Sequence, residues 1–192
     1  MPSVNWALII LIMTMTAGVN NGYWLTMLGI TYQSGNMFIN GIILGVSEMT
    51  AGIVSGILIS LTNSITAFQL LALMGISFNA IQQFWLNDGN FVTYVMLFFA
   101  IQGVGGVYTC IYVIIGEKVH VTQVGGVMAW FVTVAVTAAI GAPLVVLSHK
   151  PIPYIVLGSC LSLSLIASCF INWAKRREKT FPVLNEMWGN ET

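Results

Sequence analysis

Six long stretches of the chain are apolar almost without interruption, and short polar segments separate them. They run from about Asn5 to Leu28, Met37 to Leu61, Ile65 to Leu86, Phe91 to Ile115, Thr122 to Leu147 and Ile152 to Ala174. Each is long enough to cross a hydrocarbon layer of ~30 Å, which takes about 20 helical residues. Lipid offers no partner to a backbone N–H or C=O, so each run predicts an α-helix that pairs those groups internally. Strands of a membrane barrel would be about half as long and would alternate strictly in polarity, which these runs do not. The separators carry turn residues: Ser34-Gly35-Asn36, Thr62-Asn63-Ser64, Asn87-Asp88-Gly89-Asn90 and His149-Lys150-Pro151. The expected fold is therefore all-α, a polytopic bundle of six transmembrane helices over residues 1–174 with a short polar tail over 175–192. Gly22 predicts a weak point in the first helix. Gly141-Ala142-Pro143 predicts a kink or break in the fifth.

Composition agrees with the pattern. Of 192 residues, 57% are apolar and 6% charged, and the six basic residues balance the six acidic ones. A soluble domain carries about 25% charged residues, because they make up much of its surface. This argues against a soluble enzyme, and disorder would need low hydrophobicity and high charge. No basic stretch precedes the C-terminal end, so no electrostatic nucleic-acid surface is expected. Cys110, Cys160 and Cys169 all lie in apolar runs without CxxC spacing, which reads as buried thiols rather than a disulfide or metal framework. Met1-Pro2-Ser3 has no positive charge and the first run is too long for a signal peptide.

Orientation follows from the basic residues. Lys118, Lys175, Arg176, Arg177 and Lys179 fall on the side of the termini, and Lys150 alone on the other. The positive-inside rule then puts both termini in the cytoplasm or its equivalent. Trp6, Trp24, Trp85 and Trp173 stand near predicted helix ends, where indole favours the headgroup layer. Trp130 lies deeper. The tripeptide Asn190-Glu191-Thr192 matches a glycosylation acceptor but is expected on the wrong side of the membrane to be used.

Glu48 is the most informative position, because an ionisable group at mid-membrane costs roughly 2.5–3.5 kcal/mol on insertion scales. It falls near the middle of the second run, whereas Asp88, Glu117, Lys118 and Lys150 fall at loops or helix ends. Either it forms a solute or proton site facing a cavity, or it locks two helices together. In the fourth run, Gln102, Tyr108 and Tyr112 offer hydrogen bonds and ring faces, and Gly103, Gly105 and Gly106 allow close helix approach. The first run adds Thr14, Thr16, Asn20, Asn21 and Tyr23. The fifth adds Trp130, Thr133 and Thr137. Packing accounts for any one of these positions; three helices with polar midsections suggest a wet cavity. The candidate solute-contacting set is Glu48, Gln102, Tyr108, Tyr112 and Trp130. No catalytic, cofactor-binding or metal-binding motif occurs, and His120 and His149 sit at loop edges.

These residues resemble the C-terminal half of a major facilitator superfamily carrier of the organic cation/anion transporter branch. Gly45-Val46-Ser47-Glu48-Met49-Thr50-Ala51 is similar to that branch's Gly-Leu-Val-Glu-x-Pro-Ala in its eighth helix. Tyr108 and Glu117 are spaced as in its tenth helix, and Gly125-Gly126 through Gly141-Ala142-Pro143 resembles its eleventh. Arg177-Glu178-Lys179-Thr180 to Asn185-Glu186 stands where the branch has Pro-Glu-Thr-Lys-Gly. The branch's basic Asp-Arg-x-Gly-Arg-Arg loop is replaced by Ser60-Leu61-Thr62-Asn63-Ser64, and its acidic eleventh-helix position falls near Val136-Thr137, so cation preference is not implied. What the resemblance does imply is alternating-access transport of a small organic solute. Such carriers place the solute between two six-helix halves, so this chain would need a second half, a homodimer partner or a host membrane complex. Two other readings stand beside it: a transport-inactive, transporter-derived structural subunit, and an unrelated six-span carrier or channel.

Overall fold

The structure, a computed structural model, describes residues 6–29, 36–85, 91–147 and 152–180. They form six helices: α1 (Trp6–Gly29), α2 (Met37–Leu61), α3 (Ser64–Trp85), α4 (Phe91–Lys118), α5 (Val121–Val146) and α6 (Ile152–Thr180). All are long and apolar enough to cross a bilayer, and no strand occurs among the described residues. The protein is an integral, multi-pass membrane protein, as the apolar runs require. The predicted turns at 87–90 and 149–151, and the tail beyond 180, lie outside the described residues.

Local chemistry sets the helix ends. The Asn36 side chain accepts from the Phe38 N–H at 2.9 Å and caps α2, and His120 accepts from the Thr122 N–H to cap α5. Asn63 Oδ1 accepts from the Thr66 N–H at 2.9 Å at the start of α3. Next to it, buried Ser64 donates to Glu117 Oε2 at 2.6 Å, tying the α2–α3 turn to the end of α4. Lys118 Nζ is 3.5 Å from the same oxygen, a partly exposed pair that adds little. Replacing Ser64 by Ala is expected to cost about 1.5–3 kcal/mol, the worth of a hydrogen bond to a charged group, read as a lowered unfolding midpoint in detergent.

Neither α1 nor α5 is interrupted where the sequence suggested a weak point or a break. α1 runs unbroken through Gly22, where a Cβ would come within 3.0 Å of Leu161 Cδ2; the missing side chain serves packing. α5 continues through Pro143, and the Leu147 N–H reaches Pro143 O at 3.0 Å. Only the last turn of α5 lies beyond the proline. α6 also runs past the membrane-length stretch to Thr180, because Lys, Arg and Glu favour helix in water as well.

α1 and α4 form the centre. α3 and α2 pack along α4, α6 and α5 pack along α1, α1 crosses α4, and α3 meets α6. Exchanging α1 with α4, α2 with α5 and α3 with α6 maps these principal interfaces onto one another. That is the pattern of a three-helix unit used twice, and three crossings per unit give the copies opposite topology. Both units share a short motif: Gly18-Val19-x-x-x-Tyr23 in α1 and Gly103-Val104-x-x-x-Tyr108 in α4. Each glycine marks a close backbone contact with a helix of the other unit. A Cβ on Gly103 would lie 2.3 Å from Gly75 N in α3, and one on Gly18 would lie 2.4 Å from Cys160 O in α6.

The outer helices are arranged inside-out relative to a soluble bundle. α2 buries Asn40, Ser47, Ala51 and Ser55 and turns Ile42, Val46, Met49, Ile53 and Ile57 outward. Lipid accepts the bulky apolar face, and small or polar residues allow close packing inside. The cysteines divide: Cys110 is buried, Cys160 half-buried and Cys169 exposed, all unpaired.

Candidate functional site

Glu48 is the twelfth of the 25 residues of α2, half-buried and within hydrogen-bond reach of α1. Its Oε1 accepts a hydrogen bond from the Tyr23 hydroxyl of α1. The Tyr23 ring lies on that of Tyr108 in α4, with centroids 4.7 Å apart and planes inclined by 30°. This contact follows from the repeated motif. Both tyrosines stand five residues beyond their glycine, α1 and α4 run in opposite directions, and helical side chains lean towards their own N-terminus. The two rings therefore lean towards each other and meet between the repeats.

Tyr112, one turn beyond Tyr108, packs edge-on against it at 5.6 Å, with the hydroxyls 3.5 Å apart. Phe131 of α5 closes the cluster, 5.3 Å from the Tyr108 ring and 4.7 Å from that of Tyr112. Trp24 stands edge-on to Tyr23 at 5.8 Å and is half-buried. The cluster thus joins one carboxylate, three phenols and a phenyl ring from four helices. Tyr112 is 41% exposed, so the cluster opens to the outside of the bundle on that side.

Of the candidate set, Glu48, Tyr108 and Tyr112 come together in this way. Gln102 does not join them. Six residues before Tyr108, at about 100° per residue, it faces another side of α4, is 3% exposed, and donates from Nε2 to Thr50 Oγ1 of α2. Trp130 is 39% exposed, and no ring contact or hydrogen bond links it to the cluster; its neighbour Phe131 takes the inward position. Tyr23 and Phe131 were missed as site members. The repeated Gly-Val-x-x-x-Tyr motif is the sequence signal that could have found Tyr23; nothing in the sequence separates Phe131 from Trp130.

Electrostatically the site is one-sided. No Lys or Arg occurs within any of the six apolar runs, so Glu48 has no cationic side chain at its depth. Its described partner is a phenol, and no group of three or more metal-ligating His, Cys, Asp or Glu side chains forms among the described residues. The arrangement can bind through one carboxylate and several ring faces, which suits an organic molecule or a cation.

Comparison with models of known protein families finds no match, and comparison with curated proteins finds none either.

Proposed function

We propose that this chain is half of a membrane transporter for small organic solutes, acting with a second six-helix body by alternating access. One observation carries the reading: a carboxylate held by a phenol inside an aromatic cluster, where two inverted three-helix repeats meet. An ionisable group at this depth is by default a functional candidate. Paired inverted repeats with a midplane site are a recurring plan of secondary transporters, and each half of a major facilitator carrier contains such a pair. The resemblance of Gly45–Ala51 to the eighth helix of the organic cation/anion branch points the same way. Glu48 is the ionisable solute contact, Tyr23, Tyr108, Tyr112 and Phe131 supply ring faces, and Gln102 and Trp130 stand outside the cluster in this conformation.

A second body is required because lipid covers a carboxylate and an exposed tyrosine poorly. The partner is a second half, a second copy or a host complex. Both termini lie in the cytoplasm on this reading. Single cysteines at Thr62, exposed in the α2–α3 turn, and at Lys179 will then be labelled from one side and a cysteine at Asp88 from the other; labelling of all three from one side would refute the topology.

The test of function is uptake of labelled organic solutes by proteoliposomes containing the purified chain, alone and with whatever six-helix chain co-purifies with it. Saturable uptake supports the proposal. Its absence, with correct insertion and partner present, favours the structural-subunit reading, to which the uncharged α2–α3 turn and the mutual packing of the aromatic rings also point.

A further inference from the structure

The interface between α2 and α4 holds buried polar groups beside the apolar contacts of Ile43 and Leu44 with Leu97 and Ile101, and some of those groups have no hydrogen-bond partner among the described residues. Asn40 and Ser47 lie seven residues apart on the α4-facing side of α2, at 2% and 0% exposure. Among the described residues, neither the Asn40 side chain nor Ser47 Oγ makes a hydrogen bond, and neither does Oε1 of Gln102 across the seam, a residue 3% exposed. Gln102 is held in place by its amide nitrogen, which donates to Thr50 Oγ1. Thr50 in turn donates to Val46 O at 2.8 Å and approaches Ser47 O at 3.2 Å. Ser47, Thr50 and Gln102 therefore share one neighbourhood, where α4 also comes close enough that a Cβ on Gly105 would lie 3.2 Å from Ala51 Cβ.

Such a neighbourhood presents several buried oxygens with free lone pairs. The Gln102 carbonyl can only accept, and the Thr50 hydroxyl hydrogen is already committed. Ser47 can also donate, but finds no acceptor. One residue from Ser47 is Glu48, whose negative charge no cationic side chain at that depth offsets. α3 contributes no titratable group; α1 faces Glu48 with Tyr23, and α4 brings Tyr108 and Tyr112, neutral as phenols. Unpartnered oxygens and an unbalanced carboxylate at the same depth have a common remedy.

We propose that a monovalent alkali cation, Na⁺, binds in the α2–α4 seam. Ser47 Oγ, Gln102 Oε1 and Thr50 Oγ1 supply oxygen ligands, and Glu48 supplies the balancing charge. Hard cations select hydroxyl and carbonyl oxygens. Neutral oxygens beside a single carboxylate suit one positive charge, whereas Ca²⁺ and Mg²⁺ recruit more carboxylates or keep more water. Opposite charges attract strongly in this low-dielectric setting. Asn40, two turns nearer the start of α2, places a further polar group along the same seam. A role for the ion in coupling rests on the transport reading; the binding itself does not.

The experiment measures the thermal unfolding midpoint of the full chain in lipid nanodiscs, with sodium chloride titrated against N-methyl-D-glucamine chloride at constant ionic strength. Sodium is expected to raise the midpoint saturably. Ser47→Ala and Thr50→Val should each shift the half-saturating concentration upward by about tenfold or more, as loss of a metal-site group typically does. Thr137→Val, at an exposed hydroxyl on α5 bonded to Thr133 O, should leave it unchanged. Either seam variant suffices if the other fails to fold. No sodium-dependent shift in the unaltered chain, or a shift retained in the seam variants, overturns the site. Sodium binding without solute uptake would leave the site standing and remove the transport reading. Uptake without a sodium shift would do the reverse.

Discussion

Replacing Gly103 by Ala is expected to destabilise the bundle by about 2–3 kcal/mol, the upper part of the range for overpacking. The new Cβ would lie 2.3 Å from Gly75 N, 2.5 Å from Gly75 Cα and 2.8 Å from Leu71 O. All three are backbone atoms, so no rotamer change relieves the clash and α3 must move away from α4. Gly18→Ala is the counterpart in the other repeat. Its Cβ would meet Cys160 O at 2.4 Å and Ser164 Oγ at 2.1 Å, displacing the hydroxyl that donates to Met15 O at 3.0 Å. Gly75→Ala should cost less, since its nearest neighbours stand at 3.3 Å. Gly41→Ala and Gly52→Ala, with nothing within 4 Å, should be neutral or stabilising by up to about 1 kcal/mol through helix propensity. Unfolding midpoints of the five variants in detergent test this ranking. Equal effects at Gly103 and Gly52 would contradict the close contact between α3 and α4.

Glu48→Gln should reduce solute uptake by about ten- to a hundredfold while leaving the amount of protein in the membrane unchanged. A hydrogen bond to a charged group contributes about 1.5–3 kcal/mol, and each 1.4 kcal/mol is about tenfold. The amide keeps the shape and can still accept from the Tyr23 hydroxyl, so the fold survives while charge and titration are lost. Tyr23→Phe removes the donor but not the carboxylate, and should reduce uptake less. Uptake that depends on pH before Glu48→Gln and no longer does after it would mark the carboxylate as a coupling group. The opposite outcome is equally readable: normal uptake in Glu48→Gln, with Glu48→Leu lowering only protein abundance. That pattern would make Glu48 a helix-locking residue and favour the structural-subunit reading.

The sequence by itself determined the number, type and extent of the helices, because lipid imposes a minimum apolar length and forbids unpaired backbone. α2 begins and ends at the expected residues, and the other helices do so within a few positions, apart from the extension of α6 to Thr180. The sequence also singled out Glu48, since a lone charge within a long apolar run is visible without any structure. Tertiary structure alone decided which residues share the site. It placed Tyr23 and Phe131 beside Tyr108, turned Gln102 into the seam with α2, left Trp130 exposed, and carried α5 through Pro143. It also separated Gly18 and Gly103, which touch neighbouring backbones, from Gly41 and Gly52, which touch nothing. The reason lies in the solvent. In water, alternation of apolar and polar positions reveals which face of a helix turns inward. Around these helices both lipid and bundle interior are apolar, so periodicity marks a crossing but not its face, and only packing against particular neighbours makes that choice.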